Sequence, residues 1–227
     1  MAIATIPTRA FSEQTINFRN IIINGDMSIA QRGTSFTGIT ATQYTLDRQR
    51  AGITTAGTWT ISQSTDVPSG QGFGYSLKYD CTTADASLGA SDVVFNEQRV
   101  EGQNLQYLKK GTSNAESLTL SFWVKSNKTG TYITQLYDTD NTRQISKSYT
   151  INSADTWEKK TITFAGDTTG AFVNDNLQSL RVRHWLVAGS DFTSGTLGTS
   201  WENVVSANTA VGQVNLADST SNEWYIT

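Results

Sequence analysis

The sequence predicts an all-β protein, an antiparallel jelly-roll β-sandwich with an extended N-terminal arm. The first reason is composition, because Thr, Ser, Gly, Asn, Val, Ile and aromatic residues make up the bulk of the chain. These residues favour strands and the turns between them. The second reason is that apolar and polar residues alternate over many short segments. The third is that helical periodicity is hard to find, although only two prolines occur in 227 residues.

The clearest alternation runs over 117–125, where an aliphatic row faces one side and Trp123 faces the other. Segment 180–188 alternates in the same way, with Leu180 and its row opposite Arg181, Arg183 and Trp185. Such a pattern is typical of a strand with one buried face. The predicted strands are 58–62, 75–80, 92–100, 117–125, 131–138, 143–151, 157–165, 180–188 and 224–227.

Residues 1–20 show no sustained period and are predicted to form the arm, which packs on the domain or reaches a neighbouring chain. Residues 21–227 are predicted to form one sandwich. Within it, 69–74 is a Gly-rich loop between strands, and 100–110 is a loop or one short turn of helix. Neither an internal repeat nor a low-complexity linker divides the chain.

The formal charge of -3, with 16% charged residues, indicates no strong field and argues against binding to nucleic acid. The basic pair Lys109-Lys110 is interpreted as a turn in solvent. Cys81 is the only cysteine, which excludes an intrachain disulfide or a cysteine zinc site. The first residues lack the pattern of a signal peptide, and no apolar stretch approaches the ~20 residues of a membrane span. We therefore expect synthesis in a cytoplasm and no membrane insertion.

One motif near the N-terminus carries a family resemblance. The run 19–36, RNIIINGDMSIAQRGTSF, followed by YTLDR at 44–48, resembles a motif of bacteriophage and prophage structural proteins described as tail-fibre or related virion components. Segments 118–125, 157–164 and 222–227 match the same pattern. The resemblance implies a galactose-binding-type jelly roll, the fold of many carbohydrate-binding modules. It also implies a virion protein, on the tail or the capsid surface, made in the cytoplasm of a bacterial host.

The same resemblance suggests partners. The arm is expected to attach the domain to other virion proteins or to sister subunits, and a homotrimer is favoured. In similar sequences the strand 224–227 continues into a Gly-Val-Gln-Leu-Glu type segment, whereas here the sequence stops at Thr227. Either another chain completes the closing strand, or the natural protein continues.

The motif also suggests local structure. Asn24-Gly25-Asp26 is predicted to be a tight hairpin turn with positive φ tolerated at Asn24 and Gly25. An apolar strand over 21–23 would precede it, and alternation would resume after it. Asp47 and Arg48 are expected to form an ion pair of little energetic weight.

Catalysis is not expected. Any Ser-His-Asp or Cys-His arrangement must use His184, the only histidine, which lies in mid-strand without a nucleophile elbow beside it. No pair of acids carries the signal of a glycosidase. We interpret His184 as structural and keep a glycan-degrading enzyme only as a minor alternative.

Two candidate sites remain. Trp123 and Trp185 lie opposite the aliphatic rows of their strands, so either ring is a candidate platform for a sugar; the alternative is that both are core. Asp138, Asp140 and Asn141 form an oxygen-rich turn that resembles half a calcium loop, and the alternative there is a plain Asx turn. Apart from this structural calcium, no cofactor is expected.

The sequence therefore predicts a non-catalytic virion protein and leaves two roles open. In one, the chain is a tail fibre or tail-associated appendage that attaches to the host surface, through a glycan. In the other, it is a capsid decoration or head-fibre protein whose role is assembly.

Overall fold

The computed structural model describes residues 20–227. The predicted arm, 1–20, therefore lies outside the described residues except for Asn20. Two antiparallel sheets make up the fold, with little helix, and this confirms the predicted all-β jelly-roll sandwich. In the described part of the chain, no helix is long and apolar enough to cross a membrane.

The strands, in chain order, are β1 (Ser35–Ile39), β2 (Gln43–Tyr44), β3 (Arg50–Thr54), β4 (Thr58–Ser64), β5 (Ser76–Thr83), β6 (Val93–Glu101), β7 (Leu118–Ser126), β8 (Gly130–Asp138), β9 (Arg143–Ile151), β10 (Glu158–Phe164), β11 (Gln178–Ala188), β12 (Glu202–Asn203) and β13 (Glu223–Ile226). One sheet has six strands in the order β1-β4-β5-β13-β7-β10. The other has seven in the order β12-β9-β8-β11-β6-β3-β2.

Within residues 20–227, helical structure is confined to single turns between strands. They are α1 (Ser190–Thr193) and the 3-10 turns Gly102–Asn104, Gln106–Leu108, Ser206–Asn208 and Leu216–Asp218. The two turns after β6 fit the short helical turn predicted over 100–110. The Gly-rich segment 69–74 is a loop between β4 and β5, as predicted.

All nine predicted strands are present, and each end lies within three residues of its prediction. Apolar and polar residues alternate along these strands because one face of each sheet packs against the other sheet. β1, β2, β3 and β12 were not predicted. Two of them have two residues each, too few for a period to show.

The interior between the sheets is aromatic. The Tyr79 ring lies 6.3 Å from Trp59 and 5.9 Å from Trp224 between ring centroids. His184 is buried against the Phe122 ring at 4.8 Å, and its Nδ1 lies 3.3 Å from the Thr134 hydroxyl. Burial lowers the pKa of His184 to about 3, so the imidazole is neutral at physiological pH. Its setting matches the structural interpretation of this residue.

The predicted hairpin at Asn24 is wrong. Residues 20–34 contain no strand, and Asn24 has positive φ whereas Gly25 does not. The Asn24 side chain accepts from the Ile29 N–H at 2.9 Å and donates to the carbonyls of Ile29 and Asp47 at 2.9 Å each. A side-chain amide thus closes this loop where a hairpin would need ladder hydrogen bonds.

The segment before this loop is held by Gln98 of β6. The Gln98 amide accepts from the Ile23 N–H at 2.7 Å and donates to the Ile23 carbonyl at 2.9 Å. One side chain therefore satisfies both backbone groups that a neighbouring strand would have bonded. The apolar strand predicted over 21–23 is replaced by this single anchor.

The Asp47–Arg48 ion pair is also wrong. Arg48 forms a two-pronged pair with Glu101, at 2.9 and 3.1 Å. The Asp47 carboxylate accepts from the Gln31 N–H at 2.6 Å. The backbone at Arg48 is left-handed, with φ 67, and the two neighbouring side chains reach different partners.

Lys110 is buried, although Lys109-Lys110 was interpreted as a turn in solvent; only Lys109 is exposed. The Lys110 ammonium lies 2.6 Å from the Asp138 carboxylate and 3.1 Å from the Asp167 carboxylate. Asp167 also receives two hydrogen bonds from Arg143, at 2.6 and 3.0 Å. The basic pair therefore contributes one cation to an interior ion network.

Strand β13 lies inside the six-stranded sheet. It pairs with β5 on one side and with β7 on the other. Both of its edges are occupied by this chain, so the segment Glu223–Ile226 offers no edge for another chain to complete. In the described part of the protein, the sheet edges are β1, β10, β12 and β2.

Candidate functional site

The outer face of the six-stranded sheet carries an aromatic cluster that we call the tryptophan face, defined by Trp123, Lys125, Trp157, Lys159 and Tyr225. Strand pairing sets Lys159 opposite Trp123 and Tyr225 opposite Lys125. Trp157 comes directly before β10. Trp123 and Trp157 are both half-buried, so each ring rests on the protein and keeps part of its surface in solvent.

Contacts within the tryptophan face hold Trp157 in position. The Trp157 ring lies 6.1 Å from the Tyr225 ring, nearly perpendicular to it. The Lys125 ammonium lies 4.3 Å from the Tyr225 centroid and 5.8 Å from the Trp157 centroid. Asp66 accepts from the Trp157 indole N–H at 2.9 Å and binds the Lys125 ammonium. Trp157 is thus held in place from two sides.

Exposed hydroxyls extend from Trp123 along the same face. Thr119 and Ser121 of β7 lie opposite Thr163 and Thr161 of β10, and all four are exposed. The Thr119 and Thr163 oxygens are 3.0 Å apart, and those of Ser121 and Thr161 are 3.5 Å apart. A half-open indole beside neutral hydroxyl donors and acceptors is a surface that can receive a sugar ring.

A cleft of about 1100 Å³ opens between the two sheets, next to this surface. Its walls include Trp123, Lys159, Thr119 and Ser121 and the inner apolar row of β7 on one side, and Leu136, Val182 and His184 of the other sheet. Among the described residues, Trp123 therefore borders both the exposed hydroxyls and a concave space. Binding sites for small ligands are concave and combine apolar walls with a few polar groups.

The outer face of the seven-stranded sheet is charged. We call its centre the arginine face, defined by Arg50, Arg99, Arg181 and Arg183 around Glu97. Pairing sets Glu97 of β6 between Arg50 of β3 and Arg183 of β11. Glu97 accepts from Arg99 Nε and Arg183 Nε at 2.6 Å each and from Arg50 at 3.0 Å. The Glu97 side chain has no exposed surface.

Glu97 is charged despite its burial. Desolvation raises the pKa of this carboxyl, but the charge of Arg183 and the hydrogen bonds from Arg99 and Arg183 more than offset it, so the pKa is lowered overall. Tyr137 lies beside the cluster, with the guanidinium carbons of Arg181 and Arg183 at 5.3 and 5.2 Å from its ring centroid. The face therefore combines stacked guanidinium groups with one buried anion.

Trp185 lies on this outer face, as the alternation predicted, but it offers no stacking surface. It is 2% exposed. Its ring packs against Phe95 at 5.3 Å and Phe192 at 5.4 Å, and its indole N–H donates to Gln135 at 3.2 Å. Because the segment carrying α1 folds over this end of the sheet, the expectation of an open platform at Trp185 is corrected: the ring is part of a small second core.

The predicted calcium ligands form an Asx turn. Asp138 accepts from the N–H groups of Asp140 and Asn141 at 2.9 and 3.2 Å and from the Asn141 side chain at 2.9 Å. The Asp140 carboxylate accepts from the Val173 N–H at 2.9 Å. Lys110 lies against Asp138 where a cation would bind. The described residues include no group of three or more acids, histidines or cysteines arranged to hold a metal. Calcium would have to displace Lys110, and the calcium site stays a prediction.

Sequence reasoning missed the arginine face and Trp157. Alternation in 180–188 did place Arg181 and Arg183 on one side of β11, and the same rule applied to 92–100 puts Glu97 and Arg99 together. The available signal was the recurrence of charged residues at every second position in these two strands. What the sequence lacked was the register that brings these strands side by side.

Neither a protein-family model nor a curated protein sequence matches the chain. Several solved structures are similar. One is a putative sugar binding protein from Bacteroides thetaiotaomicron, at 12% identity over 92% of this chain and 97% of that one, with a TM-score of 0.46. Another is the family 11 carbohydrate-binding module of a cellulosomal cellulase of Clostridium thermocellum, at 10% identity over 83% of this chain and 92% of that one, with a TM-score of 0.37.

A third similar structure is the enzymatically active domain of tailspike protein 4 of bacteriophage CBA120. Its identity is 11%, and the match covers 91% of this chain, with a TM-score of 0.43. This chain spans one fifth of that protein's length, 20%. At TM-scores below 0.5, these likenesses transfer neither a ligand nor an activity to this chain.

Proposed function

We propose that this protein is a non-catalytic, glycan-binding domain of a bacteriophage virion, part of a tail fibre or tail-associated appendage, and that it binds glycan on the tryptophan face. The observation that carries the binding proposal is Trp123, whose half-buried ring lies between exposed hydroxyls and the cleft. The virion assignment is supported by the resemblance of segment 19–50 to phage structural proteins.

The chemistry of the face suits a neutral sugar. The apolar side of a pyranose ring packs on an indole, while its hydroxyls exchange hydrogen bonds with Thr, Ser and Lys side chains. Thr119, Ser121 and Lys159 surround Trp123 in this way. Binding of this kind is reversible, and attachment strength comes from several copies acting together.

A non-catalytic role is supported by the position of His184. The imidazole, neutral and enclosed by the rings of Phe122 and Trp224, is the only histidine of the chain. A triad built on His184 would need an accessible imidazole within hydrogen-bond reach of a nucleophile. Although His184 borders the cleft, it is only 6% exposed, and its ring nitrogen Nδ1 lies beside the Thr134 hydroxyl.

The first test is glycan binding by the isolated protein. We expect the protein to bind a glycan of its host's surface on an array and Trp123→Ala to weaken that binding about tenfold or more, as loss of a central aromatic anchor does. Trp123→Phe should retain part of the affinity. Tyr44→Ala removes an exposed ring on the other sheet and serves as the matched control, with affinity unchanged.

Absence of binding to any host glycan would contradict the adhesion proposal and favour the alternative, a capsid decoration or head-fibre protein. Copy number in purified particles, measured by mass spectrometry, separates the same two roles. A few to tens of copies fits a tail appendage, whereas hundreds fits capsid decoration. Attachment through the N-terminal arm and assembly as a homotrimer belong to the same proposal, and light scattering tests the latter.

A further inference from the structure

The arginine face has more positive charge than its own partners neutralise. Four guanidinium groups surround Glu97, which leaves an excess of three positive charges at this place. Since the whole chain carries a formal charge of -3, the remainder carries six more negative than positive charges. The neighbouring Arg48 does not add to the excess because Glu101 neutralises it.

Many guanidinium donors on this face have no acceptor within the described residues 20–227. Each guanidinium carries five N–H donors, yet Arg99 and Arg50 give one hydrogen bond each to Glu97. Arg183 gives one to Glu97 and a long one, 3.4 Å, to Gln135. The four arginine side chains are 13–27% exposed, so their outer N–H groups face solvent.

Arg181 is the least satisfied of the four. Its nearest approach to Glu97 is 3.9 Å, and its buried Nε has no hydrogen-bond partner among residues 20–227. Desolvation lowers the pKa of Arg181; Glu97 opposes that shift, and the charges of Arg183 and Arg99 add to it. An additional anion at the exposed part of the Arg181 side chain, which is 21% exposed, would offset its desolvation and relieve the repulsion between the guanidinium groups.

We propose that the arginine face is a second binding site, separate from the tryptophan face, and that it takes a carboxylate-bearing saccharide. A carboxylate matches the planar fork of a guanidinium group. The cluster spans the three adjacent strands β3, β6 and β11, roughly 10 Å at the usual strand spacing, which is the scale of a disaccharide. That the anion is carried by a sugar rests on the proposed function, since the arginine cluster itself specifies only an anion.

A long polyanion such as nucleic acid fits less well. Its affinity comes from many neutralised phosphates along an extended basic surface. Here the positive charge is confined to one cluster on a chain that is acidic elsewhere. Toward the sheet edge, β12 carries the acid Glu202, which accepts from Gln144 and Asn208. Its charge opposes extension of an anionic ligand in that direction.

The test compares an oligogalacturonate with its methyl ester, which keeps the sugar and removes the charge, by calorimetry. We expect the acid to bind at least tenfold more tightly than the ester and its affinity to fall as salt is added. Arg181→Gln should lower the affinity for the acid about tenfold. Lys109→Gln removes the same charge at an exposed site and should change the affinity less than twofold.

Equal affinity for acid and ester, or equal effects of Arg181→Gln and Lys109→Gln, would overturn the inference. If Arg181→Gln lowers the melting temperature, Arg181→Lys keeps the charge and should retain intermediate affinity. Competition by inorganic phosphate that matches competition by galacturonate would remove the saccharide from the proposal.

Trp123→Ala should leave acid binding unchanged. If the protein does not bind the oligogalacturonate but still binds the glycan that depends on Trp123, this inference is wrong and the proposed function is not contradicted.

Discussion

The two outer faces of the sandwich are built on the same antiparallel scaffold but hold their charges differently. On the tryptophan face, Asp66 binds Lys125 and the Trp157 indole from a position with 44% of its side chain exposed. On the arginine face, Glu97 holds its arginines from complete burial. Water reaches the Asp66 carboxylate but does not reach that of Glu97. We therefore expect loss of the Asp66 carboxylate to cost less stability than loss of the Glu97 carboxylate.

The largest effect is expected from Glu97→Gln. The change keeps the shape of the side chain but leaves four arginines without their shared anion. Breaking a buried ion pair in this way costs about 3–5 kcal/mol. Chemical denaturation should show the loss in the free energy of unfolding. Glu101→Gln, which breaks the half-exposed pair with Arg48, is the control and should cost less than about 1 kcal/mol. Equal costs for the two variants would show that burial does not separate these pairs.

An intermediate effect is expected from pH, and it comes from the interior that both faces share. The pKa of His184 falls from 6.5 to about 3 on burial. The unfolded chain therefore takes up a proton below pH 6.5 that the native protein does not. Stability is highest above that pH and falls by about 1.4 kcal/mol per pH unit below it. Denaturation at several pH values between 6.5 and about 5.5 measures this slope before the carboxylates contribute.

This window isolates the imidazole, because His184 is the only histidine. Glu97, Glu101, Glu158 and Glu223, whose pKa values are lowered from 4.5, add their own loss of stability as the pH falls below about 5.5, where the unfolded carboxylates begin to take up protons. In His184→Gln the slope between pH 6.5 and 5.5 should vanish, whatever the stability of the variant. A wild-type protein with constant stability over this range would contradict the burial of a neutral imidazole.

The smallest effect is expected from Asp66→Asn, the counterpart of the Glu97 change on the tryptophan face. Asp66 is 44% exposed whereas Lys125 is 11% exposed, so the free energy of unfolding should fall by about 1 kcal/mol, well below the loss in Glu97→Gln. The Trp157 emission should shift, because its indole N–H loses a charged acceptor. A loss as large as that of Glu97→Gln would remove the contrast between the two faces.

The sequence predicted the sandwich well where alternation was long. A period of two separates the core row from the outer row over the nine residues of β7 and, in β11, from Leu180 to Trp185, before the irregularity between Trp185 and Val187. It correctly placed Trp123 and Trp185 on outer faces. Whether an outer face is open is a different matter. Trp185 is covered because the distant segment around Phe192 folds over it, and no local pattern reports such a contact.

The interior ion network was hidden for a related reason. Lys110 follows an exposed lysine in a turn, and only the arrival of Asp138 and Asp167 from other parts of the chain makes its burial favourable. The loop at Asn24 shows the opposite case, in which a motif was visible but its geometry was misread. A side-chain amide with three backbone partners stabilises that loop, and a hairpin interpretation considers backbone pairing alone.

The position of β13 also constrains how the chain folds. The six-stranded sheet consists of two halves, β1-β4-β5 and β7-β10, and β13 is the strand between them. Its partners in β5 and β7 lie roughly 100 to 150 residues earlier in the chain. Contacts over such separations are slow to form. The inner edges of β5 and β7 cannot pair with β13 until Glu223–Ile226 has been synthesised, so we expect the insertion of this short strand to be a late step of folding.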